Sequence, residues 1–513
     1  MLNIAELVRV TARRIPDKAA LLFQDEPVKY AELDREIDRA AAGIAALGVR
    51  KGDRVAVLVH NIPHFIYAYM GIVRAGGVMV PMNTMSTADE VSHILADAEA
   101  RVVIVAEPFA PSVEGLRETL PMLEHVVVVG RAPTGSITWE QMLGGGGDVP
   151  DVSSTPDDLA SLPYTSGTTG KAKGAMLTHG NLLANLDQMS QVSRLRVAED
   201  DVILLVLPMF HIYALNVILG LTMREGATAL LQERFDPVAS LDGIERHRAT
   251  VLFGAPPMFV AWLQTPGVET RDLSAVRVAV SGAAPLPGPV LQEFRSRLGI
   301  TIWEGYGLTE TAPAVTSTAM GDEAKPGSIG RPLPGIDLRL VDEAGDDVEE
   351  GDPGEIVVRG PNVFKGYWRQ DDATSAAKAD GWFHTGDVAY ADEDGYLFIV
   401  DRKKDLIIVS GFNVYPREVE DALYRNAKVA EAAVVGMPHP YTGEAVKAFV
   451  VLRPEERATQ EEIIEFCKRH IARFKCPEVV QFVAELPHTQ TGKVLRRALR
   501  DDAAGKRAHR SKA

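Results

Sequence analysis

Apolar residues along the first two thirds of the chain follow two alternating rhythms. From Ala31 to Leu47 they recur at helical spacing, and Arg54 to Val59 is then a short β-branched run. Ser86 to Ala98 returns to helical spacing, and Arg101 to Val105 to a strand-like run. Val202 to Leu207, Ala227 to Leu231, Val251 to Phe253 and Val276 to Val280 are further apolar runs separated by helical segments. Strands that are apolar on both faces and alternate with helices predict βαβ units and a largely parallel sheet. The most apolar stretch, Phe65 to Met82, contains Arg74, Gly76, Gly77 and Pro81, so it predicts a buried helix followed by a strand, not a membrane span.

From about residue 330 the texture changes. Leu338 to Val341, Glu355 to Arg359 and Tyr396 to Val400 are strand-like pieces between Gly, Pro and Asp turns, with no long helix, which predicts a small β-rich subdomain. Beyond Asp401, Pro416 to Tyr424 and Thr459 to Phe474 have helical patterns, the second opened by the capping box Thr459-Gln460-Glu461-Glu462. Ala432 to Val435, Ala448 to Leu452 and Val479 to Val483 predict strands. This is an α+β unit of about 110 residues, an ordinary domain size. The charged segment Asp401-Arg402-Lys403-Lys404-Asp405 is the expected hinge, so the expected division is 1–400, hinge 401–405, and 406–513. The fold class expected is α/β: a large multi-layer N-terminal domain with parallel-rich sheets and a small β-barrel-like subdomain, plus a small mobile α+β C-terminal domain. Gly144 to Gly147 is read as a connection, and the basic stretch Arg496 to Ala513 as a solvated helix end and tail.

Composition narrows the function. A chain of 513 residues exceeds one ordinary core. The net charge of −16 argues against a dedicated nucleic-acid binder, although a small polyanion can still bind where N–H groups and a few cations are gathered. Two cysteines, Cys467 and Cys476, suggest neither a disulfide framework nor a zinc cluster, and point to a reducing, cytoplasmic location. The segment Met1 to Glu6 lacks a signal-peptide plan.

Four segments carry candidate chemistry. The first is Tyr164-Thr165-Ser166-Gly167-Thr168-Thr169-Gly170-Lys171-Ala172-Lys173-Gly174. Glycine lets backbone N–H groups approach phosphate oxygens, hydroxyls add donors, and lysine adds charge. It is not a Walker A loop, because Ala172 follows Gly170-Lys171. The second, Trp303-Glu304-Gly305-Tyr306-Gly307-Leu308-Thr309-Glu310-Thr311, fails as a dinucleotide fingerprint because Glu310 stands where the third glycine belongs. It offers an aromatic plane, two close-approach glycines and a carboxylate, which suit a purine and a magnesium ion beside phosphates. The third, Gly381-Trp382-Phe383-His384-Thr385-Gly386-Asp387, is either a turn or an acceptor for ribose hydroxyls. The fourth, Thr489-Gln490-Thr491-Gly492-Lys493, sets a lysine on a small-residue loop. His211, after the apolar run ending at Leu207, is open between core and site. Neither GxSxG nor HExxH occurs, so no protein nucleophile elbow or zinc protease motif is present.

Together these segments resemble the acyl-adenylate-forming superfamily of acyl-CoA synthetases, luciferases and peptide-synthetase adenylation domains, over nearly the whole chain. The resemblance implies that Thr165, Ser166, Gly167, Thr168, Thr169, Gly170 and Lys173 hold the ATP phosphates. It implies that Gly282, Ala283, Ala284 and Tyr306, with Glu304, Gly305, Gly307 and Thr309 beside them, form the AMP site, and that Thr165 and Glu310 hold Mg2+. Asp387 and Arg402 would grip the ribose, and Lys493 would contact the carboxylate and α-phosphate in the adenylating pose. Gly411 and Phe412 would line the CoA tunnel in a second pose, and Lys404 matches the hinge position. ATP and CoA are then co-substrates: a carboxylate attacks the α-phosphate, pyrophosphate leaves, and a thiol displaces AMP. Lys493, His211, Thr165 and Glu310 carry the implied catalytic roles.

By motif position the acyl pocket comprises His211, Ile212, Tyr213, Leu215, Phe253, Gly254, Ala255, Ala283, Ala312, Pro313 and Val315. No Arg, Lys or Asp lies among them, so a second carboxylate or an ammonium would be buried unpaired. An apolar monocarboxylate is the simplest guest. Gly305 to Val315, Lys325 to Gly330 and Asp401 to Glu420 look most like bacterial long-chain fatty acid–CoA ligases, whereas Leu207 to Asn216 also resembles plant-type 4-coumarate–CoA ligases. The expectation is a medium- or long-chain fatty acid, with an aryl acid, or loading of a carrier protein, as alternatives. A luciferase-like oxygenase and a non-catalytic binding protein are the remaining ones. Expected partners are small molecules (fatty acid, ATP and CoA), with no nucleic acid, at most peripheral membrane contact, and a monomer or homodimer as the assembly.

Overall fold

The structure, a computed structural model, describes residues 3–165, 172–402, 405–409, 412–439, 441–488 and 494–503. Contact density divides the chain into two units, Met1–Asp337 with Val358–Phe383, and Leu338–Val357 with His384–Ala513.

The first unit is built on two large sheets. One has nine strands in the order Arg331–Pro332, Ala314–Ser317, Ile302–Gly307, Val278–Ser281, Val251–Gly254, Val202–Leu205, Thr228–Leu231, Ala19–Phe23 and Glu26–Lys29. The six strands from Ile302–Gly307 to Ala19–Phe23 are parallel. The other has seven strands, with Arg54–Leu58 between Val78–Pro81 and Val102–Ala106. Val102 to Ala106 are all buried, because helices cover both faces of a parallel sheet.

The expected alternation is present. Tyr30–Ala46 and Ala88–Asp97 are helices, and the apolar stretch after residue 62 is the helix Pro63–Arg74 followed by the strand Val78–Pro81. Among the described residues no helix is long and apolar enough to cross a membrane. The two adjacent helices Tyr30–Ala46 and Pro63–Arg74 need a glycine where they meet, since a Cβ at Gly71 would lie 2.7 Å from the Ala40 Cβ.

Gly354–Arg359, Trp382–Ala391 and Leu397–Arg402, whose residues fall mostly in the second unit, are neighbouring strands of a small sheet, with Asp337–Val341 at its edge. A separate sheet takes Phe412–Val414, Ile407–Val409, Gly443–Leu452 and Val429–His439 in that order, with Val479–Phe482 parallel to Gly443–Leu452. The helix Pro416–Tyr424 falls where the pattern placed it. The capping box at Thr459 forms, with Thr459 Oγ1 accepting from Glu462 N at 3.2 Å and Thr459 N donating to Glu462 Oε2 at 3.2 Å. That helix ends at Lys468, short of the expected Phe474. His470 Nδ1 lies 2.8 Å from Phe466 O, the acceptor that the next helical N–H would use.

Candidate active site

The glycine-rich segment is framed by a short hairpin. Tyr164–Thr165 pairs antiparallel with Lys173–Gly174, Thr165 opposite Lys173. Ser166, Gly167, Thr168, Thr169 and Gly170 lie outside the described residues. The helix Ala88–Asp97 buttresses both ends of the segment. Tyr164 donates its hydroxyl proton to Asp97 Oδ2 at 2.6 Å, and His93 Nε2 lies 3.2 Å from Ala172 O. Burial, then the Asp97 carboxylate, raises the Tyr164 pKa, so the phenol keeps the proton it donates.

Glu310 lies beside this hairpin through Tyr367, a residue that no motif marked. Tyr367 donates to Glu310 Oε1 at 2.8 Å, and Lys173 Nζ sits 5.2 Å from the centre of the Tyr367 ring. Burial and the Glu310 charge push the Tyr367 phenol up, keeping it a donor. Lys173, the Tyr367 phenol and the buried Glu310 carboxylate thus form one contiguous set. Glu310 and Thr165 supply hard oxygen donors, a carboxylate and a hydroxyl, which suit Mg2+.

The turn carrying Glu310 is locked from behind by buried amides. Asn185 Nδ2 donates to Ala314 O at 2.8 Å while Ala314 N donates to Asn185 Oδ1 at 3.0 Å. Asn216 Nδ2 donates to Ala312 O at 2.7 Å, and Asn362 Nδ2 to Thr311 O at 2.8 Å. Ala312 has φ +61°, left-handed backbone that costs an alanine of order 1 kcal/mol and persists only under such constraint. Gly307 is needed for close approach: a Cβ there would lie 1.9 Å from Pro313 O.

The residues expected around adenine and acyl group gather at the C-terminal ends of adjacent parallel strands, where open α/β sheets bind ligands. Gly282, Ala283 and Ala284 follow Val278–Ser281; Phe253, Gly254 and Ala255 end or follow Val251–Gly254; Glu304, Gly305, Tyr306 and Gly307 end Ile302–Gly307, with Thr309 in the turn beyond. His211, Ile212, Tyr213 and Leu215 follow Val202–Leu205, the last two on the π-helical turn Tyr213–Ile218. Tyr213 N donates to His211 Nδ1 at 3.3 Å, and the Tyr213 ring meets Phe253 edge-on at 6.1 Å. A Cβ at Gly282 would lie 3.1 Å from Tyr213 Cε1, so that glycine makes room for the ring. Ile212, Leu215, Phe253, Ala255, Ala312 and Val315 are buried, and no charged side chain is among them. Glu304 is turned inward: its Oε1 accepts from Leu286 N at 3.1 Å, tying the 282–286 turn to the neighbouring strand.

In the second unit Asp387 is buried and lies opposite Arg402 across two antiparallel strands. The turn before it is fixed by Gly386 N donating to Glu355 Oε1 at 3.1 Å and Thr385 Oγ1 donating to Ile356 O at 2.8 Å. Phe412 is exposed, its ring 5.2 Å from that of Phe474. Lys404, Gly411 and Lys493 lie outside the described residues.

Comparison with known proteins agrees with this geometry. Residues 8–368 match the family described as AMP-binding enzyme, and residues 418–493 match the AMP-binding enzyme C-terminal domain. The chain is 36% identical to a long-chain-fatty-acid–CoA ligase of Bacillus subtilis (strain 168) over 98% of its own length and 94% of that protein's. It is 39% identical to a feruloyl-CoA synthase of Amycolatopsis sp over 95% of its length and 96% of that protein's. The ATP-bound crystal structure of MatB from Rhodopseudomonas palustris superposes with a TM-score of 0.90 at 34% identity, covering 98% of this chain and 99% of that one. With both family models and near-full-length relatives in agreement, the chain belongs to the AMP-binding enzyme family.

Proposed function

We propose that this AMP-forming acid–CoA ligase takes a medium- or long-chain fatty acid, converts it to acyl-AMP with release of pyrophosphate, and transfers the acyl group to CoA. The observation that carries the choice of acid is the buried apolar set Ile212, Leu215, Phe253, Ala255, Ala312 and Val315. A second carboxylate or an ammonium placed there would lose its water and gain no partner, at a cost of several kcal/mol. The similarity to fatty-acid ligases supports the same reading. An aryl acid is the second reading, favoured by the feruloyl-CoA synthase relative and by the edge-on Tyr213–Phe253 pair.

The chemistry is positioning and charge neutralisation. Thr165 and Lys173 bring hydroxyl and ammonium to the triphosphate, and Mg2+, held by Thr165 and Glu310, neutralises phosphate charge when bound. Tyr306 and the Gly282–Ala284 turn take the adenine, Asp387 and Arg402 the ribose. His211 stands at the carboxylate end of the acyl site. Lys493 acts in the adenylating pose, and a rotation about 401–405, with Lys404 at the hinge, exchanges it for Gly411 and Phe412 and the thiol. The reaction takes place in the cytoplasm.

A kcat/KM survey across C8–C16 acids, coumarate and ferulate tests the acid. Higher values for the aryl acids would replace the fatty-acid reading. Productive turnover with a carrier-protein thiol but not with free CoA would replace the acceptor. Lys493→Ala should abolish acid-dependent ATP–pyrophosphate exchange and largely spare thioester formation from supplied acyl-AMP; equal loss of both would remove Lys493 from its role.

A further inference from the structure

Two elements far apart in the chain meet through one amide. The first is the turn Tyr213–Ile218, wound as a π-helix and continuing into the α-helix Leu219–Glu225. Such turns are rare and concentrate at functional sites. Tyr213 and Leu215 on this turn belong to the expected acyl pocket. The second element is the turn after Glu310, where Ala312 has φ +61°. An alanine holds that left-handed backbone only while its surroundings over-determine it. Ala312 also belongs to the expected acyl pocket, and Glu310, two positions earlier, is the expected metal ligand.

Asn216 joins the two. It is 1% exposed and is not itself one of the expected pocket residues. Its Nδ2 donates at 2.7 Å to Ala312 O and at 3.1 Å to Leu182 O, so both amide protons are used. Leu182 lies on the helix His179–Ser190, whose Asn185 donates to Ala314 O at 2.8 Å and accepts from Ala314 N at 3.0 Å. The surroundings are full: a Cβ at Gly220 would lie 3.3 Å from Asn216 Oδ1 and 3.0 Å from Leu186 Cδ2. In so tight a packing a shift of one element is transmitted to the next. The two amide clamps differ in one respect. Asn185 ties the Glu310 turn to a helix that supplies none of the expected pocket residues, whereas Asn216 ties it to the pocket wall.

We propose that Asn216 is a positioning residue that couples the acid site to the metal–nucleotide site: an acid packed against the Tyr213–Ile218 turn sets, through the Asn216 amide, the Ala312 backbone and with it the Glu310 carboxylate. This rests on the acyl and metal roles given above. Coupling needs an element whose arrangement both ligands bias, and the strained backbone at Ala312 is that element. The acid acts on it from the pocket and the nucleotide from Glu310. Linkage makes the effect reciprocal, so each ligand raises the affinity for the other by the same factor. ATP is then held in its reacting geometry only when an acid is present to attack it.

The test is isothermal titration calorimetry on the full chain with Mg2+ and α,β-methylene-ATP, whose α,β bridge the reaction cannot break. Nucleotide affinity is measured with and without saturating dodecanoate, and the ratio is the coupling factor. The factor expected is at least about fivefold in wild type and below about twofold in Asn216→Leu. Asn185→Leu is the control. It loosens the same turn and weakens nucleotide binding equally with and without acid, so its factor stays at the wild-type value. A merely structural role for Asn216 would give the pattern of Asn185→Leu; that result, or a wild-type factor of one, refutes the proposal. Should Asn216→Leu fail to fold, Asn216→Ser leaves room for a water to serve both carbonyls, and its factor is expected between those of wild type and one; a wild-type factor in Asn216→Ser overturns the proposal. Coumarate provides a second arm. If coumarate binds and dodecanoate does not, the fatty-acid reading fails, and the factors measured with coumarate decide the role of Asn216. A wild type that binds the nucleotide but neither acid removes the acyl site and the proposal with it.

Discussion

Asn185→Leu is a direct probe of how the Glu310 turn is held. Asn185 is fully buried and pairs with both backbone groups of Ala314, as a neighbouring strand would, and it also donates to Gln188 Oε1 at 3.0 Å. Leucine has nearly the same size but neither donor nor acceptor. Ala314 O keeps a partner in Asn362 Nδ2 at 3.3 Å, so the groups orphaned are Ala314 N and Gln188 Oε1. Two buried unsatisfied groups cost about 1–3 kcal/mol each, and the added apolar burial returns about 1 kcal/mol, leaving a loss of about 3 kcal/mol. That is a large share of the ~5–15 kcal/mol that holds a typical fold. Urea unfolding followed by tryptophan fluorescence should show a lower midpoint at unchanged slope, and ATP–pyrophosphate exchange should fall because the turn loosens. Asn185→Asp separates hydrogen bonding from packing. It keeps the acceptor for Ala314 N but sets an oxygen against Ala314 O. Burial raises the folded pKa of its carboxyl above the unfolded value of about 3.9, so its deficit is smallest below about pH 3.9, grows as pH rises from there to the folded pKa and is level above it, while the leucine deficit does not change with pH. A loss below about 0.5 kcal/mol for Asn185→Leu, the range of a neutral surface change, would refute the reasoning.

Two other outcomes are open to measurement. Tyr367→Phe removes the donor to Glu310 Oε1, a hydrogen bond to a charged group worth about 1.5–3 kcal/mol; kcat/KM for ATP should fall at least tenfold, and wild-type ATP dependence would take Tyr367 out of the site. His179 is buried, accepts from Ile4 N at 3.2 Å, and is pushed by burial from 6.5 down to about 4. The unfolded chain therefore takes up a proton that the folded chain refuses, so stability is unaffected above the unfolded pKa and falls as pH drops from about 6.5 toward 4, by up to about 3 kcal/mol. In His179→Gln the slope of stability against pH between about pH 7 and pH 5 should be shallower by nearly one proton; an unchanged slope would show that His179 titrates normally.

What the sequence determined by itself was local. An unbroken apolar run such as Val102–Ala106 needs both faces covered, whatever lies beside it, and Thr459 with Glu462 caps a helix through atoms three residues apart. The close approach at Gly307 belongs to the same class, since it is required by a carbonyl only six residues on. Tertiary structure decided the rest, because a hydrogen-bond partner leaves no trace in a period. Ala19–Phe23 pairs with Thr228–Leu231 across some two hundred residues, Tyr367 reaches Glu310 from 57 positions away, and Asn185 reaches Ala314 from 129. Glu304, grouped by its motif with the nucleotide, accepts from Leu286 N 18 positions away, and Arg496, embedded in a basic stretch, turns out to be clamped by Glu420. Apolar burial acts on every residue of a kind and so writes a pattern; an amide, phenol or guanidinium acts on one partner, and only the folded chain says which.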